Sequence, residues 1–185
     1  MNIRKPTKEE MIASAGRTVP DLLARNLRVL FCGINPGLYS AATGHHFARP
    51  GNRFWPTLYA SGFTARQLSP FEERELLKSG YGITNVAARA TTTADQLMTA
   101  ELIEGGKILE KKVRRYRPLY LAVLGVTVYR TAFGRPKAKT GLQQETIGAT
   151  KVWLLPNPSG LNAHYQLKDL ARLFSELREA AEDSQ

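Results

Sequence analysis

One cysteine, Cys32, stands in a chain of 185 residues. A lone thiol excludes an intrachain disulfide, a cysteine-ligated zinc site and an iron–sulfur cluster. Set in the apolar run Val29-Leu30-Phe31-Cys32, it reads first as a buried structural thiol and only second as a reactive nucleophile. Histidine is scarce as well, at three residues. His45 and His46 are adjacent, point apart on extended backbone and have no third ligand at useful spacing, so no metal site is expected. No apolar run approaches the length of a membrane span, and the first residues hold no apolar signal core. The expectation is a chain of the reducing cytoplasm with no membrane partner. Acids are few too: 16 Asp+Glu face 26 Lys+Arg, a formal net charge of +10. That excess points to a polyanion, nucleic acid first and an anionic membrane surface second, with a merely basic soluble protein as the plain alternative.

What is present fits one domain over residues 1–185, with apolar residues (43%) sufficient for a core. Thr7-Lys8-Glu9-Glu10 is a capping box, and a helical pattern restarts at Val19-Pro20-Asp21 and runs through Asn26, so residues 1–26 read as a helical cover. Apolar runs at 29–32, 81–86, 119–124 and 151–155 read as strands. Helices are expected from Asn52, over 70–79 behind Ser69-Pro70-Phe71-Glu72, and over 102–116, 129–133 and 167–181. Alternation of strand and helix predicts an α/β fold: one three-layer α/β/α domain on a central, mostly parallel sheet.

Two loops at expected strand ends hold the unusual residues, where open α/β sheets bind their ligands. The first is Gly33-Ile34-Asn35-Pro36-Gly37, continuing through Ser40, His45, His46, Phe47 and Arg49 to Asn52-Arg53-Phe54-Trp55. It reads either as a tight turn with Asn35 bonding its own backbone or as a ligand loop. Neither GxGxxG nor GxxxxGK[ST] is present, which weighs against a nucleotide-phosphate enzyme. The second is Asn157-Pro158-Ser159-Gly160-Leu161-Asn162. Its Leu161 is an ordinary exposed leucine or, on a rigid loop of a basic protein, a wedge for opening stacked bases.

Together these loops, in this order and spacing, resemble the mismatch-specific uracil-DNA glycosylases of bacteria, relatives of the thymine-DNA glycosylases within the uracil-DNA glycosylase superfamily. The resemblance covers residues 27–174. It implies a cofactor-free, monofunctional, monomeric enzyme on double-stranded DNA containing uracil mispairs or abasic sites, in the bacterial cytoplasm. It would flip uracil, preferably opposite guanine, and hydrolyse the N-glycosidic bond to leave an abasic site. Asn35 would position the water; Ile34, Ser40 and Phe47 would line the base pocket, with Phe47 stacking on the base. Leu161 would fill the vacated stack, with Gly160 and Asn162 beside the orphaned guanine. Gly33, Pro36, Gly37, Asn157, Pro158 and Ser159 would shape the supporting loops.

Arg49, Arg53, Lys137 and Lys139 are expected phosphate contacts, although the loop 135–139 also reads as simply solvated. Asp95 departs from the amide more usual in relatives. It is read either as a cap of the next turn or as a second catalytic group that orients or deprotonates the water or stabilises the cationic sugar. His164 stands near where relatives carry an arginine, which weakens the guanine-side contacts. The alternative to an enzyme is a non-catalytic DNA-binding module of the same fold.

Overall fold

A run in which every side chain is apolar can hide them all only as a strand covered on both faces. In the computed structural model, which describes residues 4–183, every residue of Val29–Gly33 (β1), Tyr81–Asn85 (β2) and Tyr120–Leu124 (β3) is buried. Gly141–Ile147 (β4) and Thr150–Leu155 (β5) complete a five-stranded sheet in the order β2-β1-β3-β5-β4. β1 pairs in parallel with β2 and β3, and β3 with β5, while only β4 runs antiparallel.

The period-2 alternation of β1 divides the core. Val29 and Phe31 face one cluster with Phe54, Leu58 and Phe174, and Leu30 and Cys32 face another with Leu109, Val113 and Val128. Helices α3 (Phe54–Ala60) and α7 (Leu167–Glu182) therefore cover one face, and α5 (Thr99–Tyr116) and α6 (Val126–Ala132) the other. The remaining helices are short: α1 (Lys8–Ile12), α2 (Leu38–Thr43) and α4 (Glu75–Lys78). Phe31 touches four aromatic rings, so its truncation to alanine would cost about 3–5 kcal/mol. Burial pushes the Cys32 thiol far above its ordinary value, in keeping with a structural role. Among the described residues no helix is long and apolar enough to cross a membrane.

Three expectations are corrected. Residues 19–26 are not helical: Leu22 exchanges both backbone hydrogen bonds with Ile83 in an isolated antiparallel bridge. The outer edge of β2 needs a partner, and that requirement overrides the local helical pattern. Residues 70–79 form a 3₁₀ turn (Pro70–Glu72) and then α4 rather than one helix. The start signal does operate, with the Ser69 N–H donating to Glu72 Oε2 at 2.9 Å, and Gly80 stops the segment at φ 79°. β4 is a strand that no apolar run announces. It is a largely exposed edge whose hairpin turns at Gly148 (φ 62°) between paired Ile147 and Thr150.

Candidate active site

β1 ends at Gly33, in register with Asn85 at the end of β2. A Cβ on Gly33 would lie 2.5 Å from Asn85 Oδ1 and 3.2 Å from the Phe47 ring. Glycine at position 33 is thus favoured by close approach of the Asn85 and Phe47 side chains rather than by a bend, since neither Gly33 nor Gly37 has positive φ. The chain beyond is strapped to the connection after β2: the Thr91 N–H donates to Pro36 O at 3.2 Å, and Gly37 bridges Thr91. Gly37 then caps α2.

Asn35 does not bond its own backbone. Its Nδ2 donates to Arg89 O at 3.0 Å and to Thr91 Oγ1 at 2.7 Å. The Thr91 hydroxyl spends its own proton on Thr93 O at 2.8 Å, so toward Asn35 it can only accept. That fixes the amide orientation and leaves Oδ1 as the atom without a protein partner among the described residues. Arg89 is itself held by a two-pronged contact with Glu101, whose carboxyl is lowered to about 2 chiefly by that hydrogen bond.

Phe47 has φ 53°, a left-handed conformation that costs a bulky residue about 1–3 kcal/mol. Its ring stacks on Phe54 with centroids 4.1 Å apart, so the strained backbone delivers a backed aromatic surface. Ser40 is buried, and its Oγ accepts from the Ala48 N–H at 3.1 Å, leaving the hydroxyl proton for another acceptor. His46 is also buried, with Nε2 2.9 Å from Pro20 O, so Nε2 carries the ring proton. Burial holds its imidazole below the ordinary value and keeps it neutral, against the opposing pull of Pro20 O and Glu73. Glu73 accepts from the His46 N–H at 2.9 Å and faces His45 Nδ1 at 3.1 Å.

The second loop follows β5. Asn157 Oδ1 accepts from the Ser159 N–H at 2.9 Å, and Asn162 Nδ2 donates to Asn157 O at 3.1 Å, closing a compact turn. Leu161 sits at its tip, 70% exposed. Gly160 lies against the backbone of Gly51, whose oxygen would be 2.4 Å from an added Cβ.

One cavity of about 270 Å³ joins the two loops. Of the expected residues it is lined by Gly33, Ile34, Asn35, Pro36, Gly37, Ser40, Phe47, Arg49, Asn157, Ser159 and Leu161. This volume suits a small ring rather than a drug-sized ligand, for which roughly 300–1,000 Å³ is usual. No carboxylate is among its lining residues. Asp95 is exposed in a 3₁₀ turn (Ala94–Gln96), one residue beyond Ala94 of the lining, and makes no hydrogen bond among the described residues. Lys137 and Lys139 border a separate cavity of about 470 Å³ beside β4. Asn162 and the exposed His164 border a neighbouring cavity of about 330 Å³, which shares Ile34 and Asn157 with the first.

Arg53 departs from the expected phosphate contact. Its guanidinium turns inward to the carbonyls of Tyr165, Ser159 (2.5 Å) and Asn162 (2.7 Å). Sequence reasoning also missed the wall of Thr91–Ala94, which only the fold brings to Asn35. Asn85 was missed too: buried, beside Gly33, with a side-chain amide that makes no hydrogen bond among the described residues. An Asn closing a buried strand was the available signal. No group of three metal-ligating side chains exists among the described residues.

A mostly parallel sheet with a small pocket beyond the carboxyl ends of β1 and β2 defines a ligand-binding α/β domain, and the +10 charge makes nucleic acid the fitting polymer. The model of the uracil DNA glycosylase superfamily matches residues 20–181, and the chain belongs to that superfamily. The match extends beyond 27–174 at both ends and takes in the Leu22 bridge. The fold is similar to the solution structure of a "putative uracil DNA glycosylase" from Methanosarcina acetivorans, with a TM-score of 0.56 and 17% identity over 88% of this chain and 98% of that one. Membership supports a DNA glycosylase role.

Proposed function

We propose that this protein excises uracil from DNA as a mismatch-directed, monofunctional glycosylase, preferring uracil opposite guanine and working as a monomer in the bacterial cytoplasm. The observation that carries the reading is the Asn35 amide: both its N–H groups are committed to Arg89 and Thr91, which leaves a fixed Oδ1 to hold a water at the pocket.

Extruding a base costs a few kcal/mol, less for a mispaired one. The flipped uracil stacks on Phe47, and its edge meets the backbone of Ile34 and Phe47, the Ser40 hydroxyl and the Asn85 amide. Leu161 fills the gap, with Gly160 and Asn162 on the orphaned guanine. Arg49, Lys137 and Lys139 contact phosphates and position the duplex without reading sequence. As the glycosidic bond breaks, charge gathers on the departing uracil, where preorganised donors lower the barrier. The water held by Asn35 adds to the oxocarbenium-like sugar. An amide has no useful basicity near neutral pH, so the carboxylate that orients or deprotonates the water, or stabilises the cationic sugar, is assigned to Asp95 at the rim of the pocket.

A second reading is favoured by the carboxylate-free pocket lining: a module that binds mispairs or abasic sites without cleaving them. Single-turnover assays separate the two, with uracil opposite guanine, opposite adenine and in single strand, comparing parental protein with Asp95→Ala. Selective cleavage of the guanine mispair supports the glycosylase. A collapse in Asp95→Ala with an unchanged melting temperature supports its catalytic role, and an unchanged rate removes Asp95 from the chemistry; it does not cap the turn, whose first flanking residue is Thr93. No cleavage with tight binding of abasic duplex supports the module.

A further inference from the structure

The loop that carries Leu161 has no regular secondary structure between β5 and α7, yet a wedge has to be stiff to push a base out of its stack. Its internal hydrogen bonds are all local, joining Asn157, Ser159, Leu161, Asn162 and His164 to one another. Apart from the packing of Gly160 against Gly51, the hydrogen bonds that tie the loop to the rest of the protein, among the described residues, come from a single residue across the site. The Arg53 backbone N–H donates to Pro158 O at 3.0 Å, and its guanidinium donates to the carbonyls of Ser159, Asn162 and Tyr165, on both sides of Leu161. No carboxylate pairs with Arg53 among the described residues, and its Nε is buried without a partner. A charged group left in that state is being used for its geometry, because only a planar fork reaches three diverging carbonyls. Arg53 also immediately precedes Phe54, the ring behind Phe47.

We propose that Arg53 is a positioning residue that presents Leu161 to the duplex and locks the wedge loop to the pocket floor. The inference rests on the glycosylase reading for its consequence in excision, but the loop-holding part is a property of the protein alone. A phosphate contact and a loop brace make opposite forecasts for Arg53→Lys. Lysine keeps the charge but presents a point charge instead of a fork.

The test combines hydrogen exchange on the free protein with a double-mutant cycle in single-turnover excision of uracil opposite guanine. In Arg53→Lys, amide exchange should rise selectively over residues 157–165. Excision should slow about ten- to a hundred-fold, the scale of a misplacement of about 1 Å. Combined with Leu161→Ala, it should be no slower than the slower single variant, since both act through one side chain. Parental exchange or a parental excision rate in Arg53→Lys overturns the proposal, as does a multiplicative effect with Leu161→Ala. Gly160→Ala lifts the same loop off Gly51 without touching Arg53 and keeps the question open to test should Arg53→Lys not fold. It should reproduce the exchange and rate effects, and a parental rate would count against the brace. If the parental protein excises no uracil, the glycosylase reading fails by itself, while hydrogen exchange still decides whether Arg53 holds the loop.

Discussion

Replacing Thr91 by valine tests how Asn35 is aimed. Thr91 is buried, and its hydroxyl accepts from Asn35 Nδ2 at 2.7 Å and donates to Thr93 O at 2.8 Å. Valine has nearly the same shape and removes both bonds. At about 0.5–1.5 kcal/mol net for each hydrogen bond, the loss of stability is about 1–3 kcal/mol. For a chain of this size that lowers the melting temperature by about 2–4 °C per kcal/mol. The kinetic effect is larger. With only Arg89 O left to hold it, the amide can rotate, and a water misplaced by about 1 Å costs up to about a hundred-fold in rate. Thr91→Val should therefore slow single-turnover excision about ten- to a hundred-fold while remaining folded, whereas Thr91→Ser keeps the hydroxyl and stays within about three-fold of parental. Equal rates for Thr91→Val and parental protein, or equal slowing by serine and valine, would refute the assigned role.

Two further outcomes follow from the geometry. Gly33→Ala places a Cβ 2.5 Å from Asn85 Oδ1 and 3.2 Å from the Phe47 ring, overpacking the pocket floor. It should cost about 1–3 kcal/mol and impair excision, read by thermal melting and single-turnover kinetics, and an unshifted melting temperature would contradict it. His46 is held below its ordinary value by burial, so the unfolded chain takes up a proton near about pH 6.5 that the folded protein refuses. Its contribution to stability is complete above that pH and is lost as pH falls toward the lower folded value. Glu73, Asp21 and His45 face the ring, the first two opposing its shift and His45 adding to it. Lowering the pH from about 7.5 to about 5 should destabilise parental protein more than His46→Gln, and equal melting shifts in the two would contradict this.

The central strands were legible because a fully apolar five-residue run has few other ways to bury itself, as in Val29–Gly33 and Tyr120–Leu124. The two site loops were legible because Pro, Gly and Asn are concentrated at strand ends, and the structure does bring both to one cavity. What was hidden is set by distant partners. Residues 19–26 follow the edge of β2, and β4 follows a hairpin closed at Gly148. Arg53 carries the charge of a phosphate contact, and only carbonyls more than a hundred positions away turn it inward. Thr91 reaches Asn35 across 56 positions, and nothing local to either residue announces that bond.

The measurement closest to the central claim is single-turnover excision of uracil opposite guanine by parental protein and Asn35→Ala, with abasic-duplex binding measured on both. The account predicts cleavage by the parental protein, a loss of at least about a hundred-fold in Asn35→Ala, and abasic-site binding within a few-fold of parental. Removing the amide takes away the water's support but leaves Phe47 and the Leu161 loop in place. Cleavage by Asn35→Ala at the parental rate would contradict the account.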